Sequence, residues 1–293
     1  MSKNIKDYIS VIIAFFIGAF IAFGGSQNGA QYNGYPILFI CLIISFVLHW
    51  VAFIPSYLAR TEKFYDIAGT VAYLSVLATA SYLTVISSNS NLQLRSIIAI
   101  ILVLIWALRL GLFLFVRVLR AGEDRRFREV KQNFSKFLVW WSVSALWVFL
   151  TAANALTMII NNVSFADDFF FYFGLSLWSL GFSFEAIADE QKRRFKSDKK
   201  NKDAFISTGL WGLSRHPNYF GEILLWVGMA VIALPTLIGW QYVTLISPIF
   251  IYFLLTRVSG VNLLEERANQ KWGGTEEYES YVKKTPVLIP FIK

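Results

Sequence analysis

The chain is poor in the residues on which most soluble folds and metal sites are built. Among 293 residues there is one cysteine, Cys41, and there are two histidines, His49 and His216. A single cysteine forms no disulfide within the chain, which excludes a secreted disulfide scaffold. Two histidines fall far short of the about eight that histidine-rich membrane di-iron oxidases use as ligands, so no metal is expected. Charge is scarce too, at 16% Asp, Glu, Lys and Arg against roughly 25% in soluble domains. No G-x-G-x-x-G, Walker lysine motif or H-E-x-x-H occurs, which argues against Rossmann dehydrogenases, P-loop transporters and zinc proteases. A nucleotide, if bound, must lie between helices.

What fills the chain is apolar: 56% of residues belong to the hydrophobic set and 17% are aromatic. They gather in runs such as Tyr8–Phe23, Ile37–Ile54 and Ile97–Val116, each close to the ~20 residues that cross a hydrocarbon core. The expected fold is therefore an all-α polytopic membrane protein of seven to eight transmembrane helices. Spans are drawn at about 8–24, 36–58, 66–87, 97–116, 137–160, 168–188, 220–238 and 241–256. The first lacks an A-x-A-like cleavage site and is expected to be retained. The last two share a tight Gly239-Trp240 link and contain Pro235 and Pro248, which suits a kinked hairpin or a re-entrant element as well as two spans.

Lysine and arginine alternate from loop to loop. Of the 27 basic residues, Arg95 falls on the poor side and Arg109 inside a span, which leaves 25 on one side. The positive-inside rule makes that side the cytoplasm, puts both termini there and favours eight crossings. Anchoring of these loops to anionic headgroups accounts for much of the net charge of +8. Nucleic acid is an unlikely partner for loops so close to a membrane. No repeat or long linker divides the chain, so one integrated membrane domain is expected, with N-terminal spans at 1–104 on the lipid-substrate side and a cofactor-binding region at 105–293.

Four polar clusters stand out. Glu185 and Asp189 are i and i+4 at the end of the sixth span, with Lys192 and Arg193 at a distance to neutralise them. Pro217 suits the first turn of a helix, so Ser214, Arg215 and His216 would form a cap with free N–H groups beside a guanidinium, an anion site. Asn218 and Glu222 are again i and i+4, flanking Tyr219. Arg109, Phe113, Arg117 and Arg120 make one helical stripe ending at a Gly122-Glu123-Asp124 turn, and Arg109 is deep enough in a span to require a paired or cavity-facing role. The fourth cluster is Glu265-Glu266-Arg267 followed by Tyr278 and Tyr281.

The stretch Gly181-Phe-Ser-Phe-Glu185-Ala-Ile-Ala-Asp189, the segment Leu210-Trp211-Gly-Leu-Ser-Arg215-His-Pro-Asn218-Tyr-Phe-Gly-Glu222, the Gly-Glu-Asp-Arg-Arg-Phe core ending at Phe127 and the terminal Leu288-Ile-Pro-Phe-Ile together resemble the steroid 5-alpha-reductase-like superfamily, and most its bacterial branch. The match covers about residues 105–293. The resemblance implies an NADPH-dependent oxidoreductase acting on CH-CH groups, which passes a hydride to the conjugated double bond of a lipophilic, steroid- or isoprenoid-like enone. It also implies residence in the bacterial inner membrane, with the cofactor on the cytoplasmic side. Glu185, Asp189, Asn218, Glu222 and Glu266 match or neighbour cofactor-contacting positions. Arg109, Arg117, Arg120, Asp124, Arg193, Arg215, His216, Tyr219 and Tyr278 complete the expected cofactor set.

The family's substrate-polarising Glu and Tyr have no placed counterpart, and Trp106 stands where the tyrosine belongs. A donor within the bilayer is needed for the carbonyl oxygen, and His49, Asp66 and Tyr73 are the expected catalytic residues by their depth in the second and third spans. Two alternatives stay open. The Arg-His-Pro-x-Tyr-x-Gly segment also resembles the isoprenylcysteine carboxyl methyltransferase group, which implies S-adenosylmethionine. A non-catalytic lipid-binding membrane protein would keep the same cradle. Oligomeric state is not legible.

Overall fold

The structure, a computed structural model, describes residues 3–164, 168–258 and 260–292. The chain is helical nearly throughout: α1 (Lys3–Gly25), α2 (Ile37–Leu58), α3 (Tyr65–Ser88), α4 (Leu94–Ala121), α5 (Phe134–Asn161), α6 (Phe169–Ser197), α7 (Pro217–Ala233), α8 (Ile246–Phe253, continuing as a wide turn over Leu254–Val258), α9 (Val261–Trp272) and α10 (Glu276–Lys284). The sheet is one short hairpin, β1 (Gln31–Tyr32) and β2 (Tyr35–Pro36), joined by Asn33-Gly34 with both φ angles positive, the turn that this dipeptide favours.

Among the described residues, eight helical stretches are long and apolar enough to cross a membrane. All eight begin or end within a few residues of the runs read from the sequence. The closing pair differs in detail. Pro235 sits in a single 3-10 turn, Leu234–Thr236, after α7 has ended, and Pro248 stands in the first turn of α8. Pro235 therefore takes no hydrogen bond from α7, and Pro248 stands where the N–H has no partner within α8 itself. The reversal is made by extended Leu237 and Ile238, and Gly239 follows with a positive φ of 51°. Large apolar side chains such as Phe16, Phe20 and Phe23 on α1 point outward, which in a multi-pass membrane protein means contact with lipid.

The chain divides into two compact units. The first comprises Met1–Asp167 with Ala233–Ile246. Its centre is α5, on which α1, α2, α3 and α4 pack. In the most apolar 18-residue stretch of α5, 89% of residues are buried, whereas the corresponding stretch of no other span exceeds 50%. Small residues such as Ala145, Ala152 and Ala153 let the neighbours approach. Asn133 caps the start of α5 by accepting the Lys136 N–H at 3.1 Å. At its far end Asn161 Nδ2 donates to Gln241 Oε1 at 2.7 Å, and Gln241 Nε2 donates to the Gln27 carbonyl at 2.7 Å, which ties the 3-10 segment Gly239–Leu245 to α1 and α5.

The second unit comprises Asp168–Ile232 with Ser247–Lys293. Its organising feature is a glycine seam between α6 and α7. Gly174 and Gly181 are seven residues apart on α6, and Gly221 and Gly228 are seven apart on α7. A methyl group at Gly181 would lie 2.6 Å from the Gly221 carbonyl oxygen, and one at Gly174 would lie 2.7 Å from that of Gly228. The helices therefore run antiparallel with their backbones in contact, a spacing that only glycine permits.

Gly181→Ala should lower the thermal unfolding midpoint, at a cost on the order of 1–3 kcal/mol for overpacking. Gly69→Ala in α3, where the nearest atom would be 3.9 Å away, should leave the midpoint unchanged or raise it slightly. Equal midpoints for the two variants would dismiss the seam as a packing constraint.

Candidate functional site

The seam sets the geometry of the second unit. One turn beyond Gly181, Glu185 and Asp189 project from the same face of α6, and Asn218 and Glu222 project from α7 on either side of Gly221. Glu185, Asp189 and Glu222 are buried, with 1%, 6% and 5% exposure. Asn218 Nδ2 donates to Asp189 Oδ1 at 3.2 Å. The two i,i+4 pairs read from the sequence are thus brought together across the seam.

The loop before α7 is held from two directions. Trp211 Nε1 donates to the Ala188 carbonyl at 3.0 Å, and Tyr281 Oη donates to the Trp211 carbonyl at 2.7 Å. The Arg215 N–H donates to the Pro286 carbonyl at 2.9 Å, and Ser214 Oγ donates to that of Leu288 at 2.7 Å while accepting the His216 N–H. The chain end therefore clasps the helix start, and α7 begins at Pro217 as the sequence predicts.

The expected anion site is altered by one residue. Arg215 Nη1 pairs with Glu265 Oε2, and His216 Nε2 lies 2.7 Å from Glu265 Oε1. A carboxylate only accepts, so Nε2 carries the imidazole proton and Nδ1 is left as an acceptor. Arg215 Nε and His216 Nδ1 are both buried and have no hydrogen-bond partner among the described residues. Glu266, the expected cofactor contact, is exposed and accepts from Gln270 Nε2 at 3.4 Å. Glu265, named in the fourth cluster but left out of the expected cofactor set in favour of Glu266, is the carboxylate that holds Arg215 and His216. Helical spacing carried the signal, since Glu265 is i+4 from buried Val261 and Glu266 is not.

The remaining expected residues of this unit divide. Tyr219 stacks on the His216 ring with centroids 5.6 Å apart. Tyr278 is buried in an aromatic group with Phe205 at 5.3 Å and Trp272 at 6.2 Å. Of the two expected neutralising cations, Lys192 Nζ lies 4.2 Å from the Trp211 ring centre, and Arg193 is exposed and pairs with Glu190 at 2.6 Å.

Arg109, Arg117, Arg120 and Asp124 belong to the first unit. Arg109 is half-buried with its guanidinium 5.5 Å from the Phe113 ring centre, which fits the stripe, while Arg117 and Arg120 are exposed. Asp124 pairs with Arg126 at 2.6 Å, and its N–H donates to buried Glu62, which also holds Lys131 at 2.7 Å. Burial pushes the Asp124 carboxyl up, but the hydrogen bonds and charge of Arg126 outweigh it and hold the group below the usual carboxylate range.

The expected catalytic trio also lies in the first unit. Asp66 and Tyr73 line a cleft of about 60 Å³ between α3, α4 and α5, together with Thr70, Trp106, Ser144 and Trp147. Tyr73 meets Trp106 edge-on with centroids 5.3 Å apart. His49 stands one step behind the wall: its Nδ1 lies 2.7 Å from the Ser45 carbonyl and its Nε2 lies 3.1 Å from Ser144 Oγ. The carbonyl fixes the proton on Nδ1, so Nε2 accepts from Ser144. His49 thus orients a cleft residue without lining the cleft. Among the described residues, no group of His, Cys, Asp and Glu could hold a metal ion.

The helices define a multi-pass membrane protein with a buried acid–amide cluster in one unit and a small, mainly apolar cleft carrying a few polar side chains in the other. The chain belongs to the family described as "Protein of unknown function (DUF1295)", whose model matches residues 52–285. No curated protein and no solved structure matches it.

Burial pulls the His216 imidazole below its ordinary value of 6.5, aided by Lys192 and Arg215 and opposed by Glu265. A depressed pKa means that the unfolded chain binds the proton more readily, so the stability from neutral His216 is present above pH 6.5 and is lost as the pH falls through the folded value. The unfolding midpoint should therefore drop on acidification below that point, and less steeply in His216→Gln. Parallel pH profiles would remove His216 as the source.

Proposed function

We propose that the protein is an integral membrane reductase that uses NADPH to reduce the conjugated double bond of a lipophilic enone, with its basic loops and cofactor site facing the cytoplasm. The observation that carries this reading is the Asp189–Asn218 pair, flanked by Glu185 and Glu222. Carboxylates and an amide suit the hydroxyl and carboxamide donors of a dinucleotide. They do not suit its phosphates, since two anions repel. The unpartnered Arg215 Nε and His216 Nδ1 fit a ligand offering both an acceptor and a donor.

NADPH, when bound, supplies the hydride. The chain's own groups do the rest. Asp189 and Asn218 orient the cofactor through hydrogen bonds, and Glu265 keeps Arg215 and His216 in place. Reduction builds negative charge on the substrate oxygen, and the polar groups available to meet it lie in the apolar cleft of the first unit, where Tyr73 and Asp66 are the proton-handling residues.

One observation favours a second reading. With Arg215 engaged by Glu265, the buried Glu185, Asp189 and Glu222 on α6 and α7 form an acid-rich cluster, which suits a cationic cofactor such as S-adenosylmethionine in a methyltransferase. Thermal unfolding of the purified protein separates the readings. A ligand bound only to the fold stabilises it by RT ln(1 + [L]/Kd), about 2.7 kcal/mol at a hundredfold excess over Kd. NADPH should raise the midpoint, and Asn218→Ala and Asp189→Asn should each weaken its binding about tenfold. A shift with S-adenosylmethionine alone would transfer the assignment to the methyltransferase class. No shift with either would leave a lipid-binding protein without catalysis.

A further inference from the structure

The cleft of the first unit contains a donor that no hydrogen bond within the protein explains. Trp147 lines it from α5, and the indole Nε1 is buried with no acceptor among the described residues. Buried donors in folded proteins are almost always satisfied, so one left open beside a cleft points to an acceptor that enters from outside. We propose that the Trp147 indole N–H is the hydrogen-bond donor to the carbonyl oxygen of a lipophilic ligand whose carbonyl end seats in this cleft. The proposal rests on the reductase reading for the nature of that ligand.

The other walls define its chemistry. The Ser144 hydroxyl gives its proton to His49 Nε2 and so has none left to donate to a ligand. Thr70 Oγ1 lies 3.4 Å from the Asp66 carbonyl and 3.5 Å from that of Ala107, which gives its proton acceptors on the backbone. An indole N–H is different, since it only donates and does not ionise. A neutral carbonyl oxygen matches it. A carboxylate or phosphate would meet the Asp66 side chain in the same cleft and be repelled. At about 60 Å³ the cleft has room for roughly four waters, or for one carbonyl with its adjoining carbons, so the end of a lipid enters and its tail stays outside. In such a low-dielectric setting a fixed donor strengthens its bond as the oxygen gains charge, so Trp147 would act on the reacting carbonyl itself.

The test uses the full chain in lipid nanodiscs and a cyclohexenone with a long alkyl tail, labelled with ¹³C at the carbonyl. Binding should lower the carbonyl stretching frequency relative to the probe in protein-free nanodiscs. The analogue with a methylene in place of the carbonyl should bind about tenfold more weakly. In Trp147→Phe both the frequency shift and the preference should vanish. In Trp147→His, which keeps a ring N–H, part of each should return. An unchanged shift in Trp147→Phe overturns the assignment, and so does the absence of any shift in the unmodified protein, as when water alone fills the cleft. Both measurements are made without nucleotide. Loss of the carbonyl signature with an intact NADPH thermal shift therefore sinks Trp147 alone, whereas loss of the NADPH shift sinks the reductase reading.

Discussion

The second unit depends on the closeness of two backbones. Inside a bilayer, helices gain little from hiding apolar surface, because lipid tails are as apolar as leucine, and association rests on close van der Waals packing and interhelical hydrogen bonds. Each glycine in a helix costs about 1 kcal/mol against alanine. The four glycines of the α6–α7 seam are therefore a weakness in each helix that contact between the two must offset. What the contact achieves is reach. Asn218 and Asp189 have short side chains, and their 3.2 Å hydrogen bond forms only because the helices behind them touch. A leucine at Gly181 would leave both groups in place on their helices and unable to meet.

The same economy governs charge. A buried carboxylate is costly unless paired and hydrogen-bonded, and the ion pairs of Glu265 and Glu62 join a loop to a helix end or to another loop. Glu265 on α9 holds Arg215 and His216 ahead of α7, and Glu62 after α2 holds Lys131 and the Asp124 N–H after α4. By contrast, Glu190 with Arg193 and Arg194 is an exposed helical cluster of the kind that contributes little. The Glu265 and Glu62 pairs fix where loops go. Their net contribution to stability is secondary.

The spans were legible because hydropathy responds to lipid whatever the helices pack against, and the start of α7 was legible because Pro217 marks a helix start by its own chemistry. Facing was harder to read. Glu265 and Glu266 are neighbours of identical chemistry, and only the burial of Val261 one turn earlier tells which points inward. His49 was taken as a group facing the substrate because it lies mid-span, whereas it acts on Ser144 from behind the cleft wall. Trp147 went unread because tryptophan is unremarkable in a run as aromatic as that of α5, and nothing local shows that its N–H lacks an acceptor. The glycine seam was in plain view as two spacings of seven, yet each half gains meaning only when the other helix is known.

These failures share a cause that also indicates where function lies. In a soluble protein, apolar residues mark the inside. In a membrane span both faces are apolar, so the informative residues are the polar ones drawn inward. In the first unit they are mainly uncharged types: His49, with one ring nitrogen donating and the other accepting, Ser144, Thr70, Tyr73 and the Trp147 indole, with Asp66 also lining the cleft. In the second they are carboxylates, with one guanidinium and one imidazole bound to the same acid. A neutral donor such as the Trp147 indole in an apolar cleft selects an uncharged molecule with an acceptor atom. A cluster rich in acceptors selects a molecule carrying many N–H and O–H donors. The lipid carbonyl and the nucleotide cofactor proposed above answer those two descriptions.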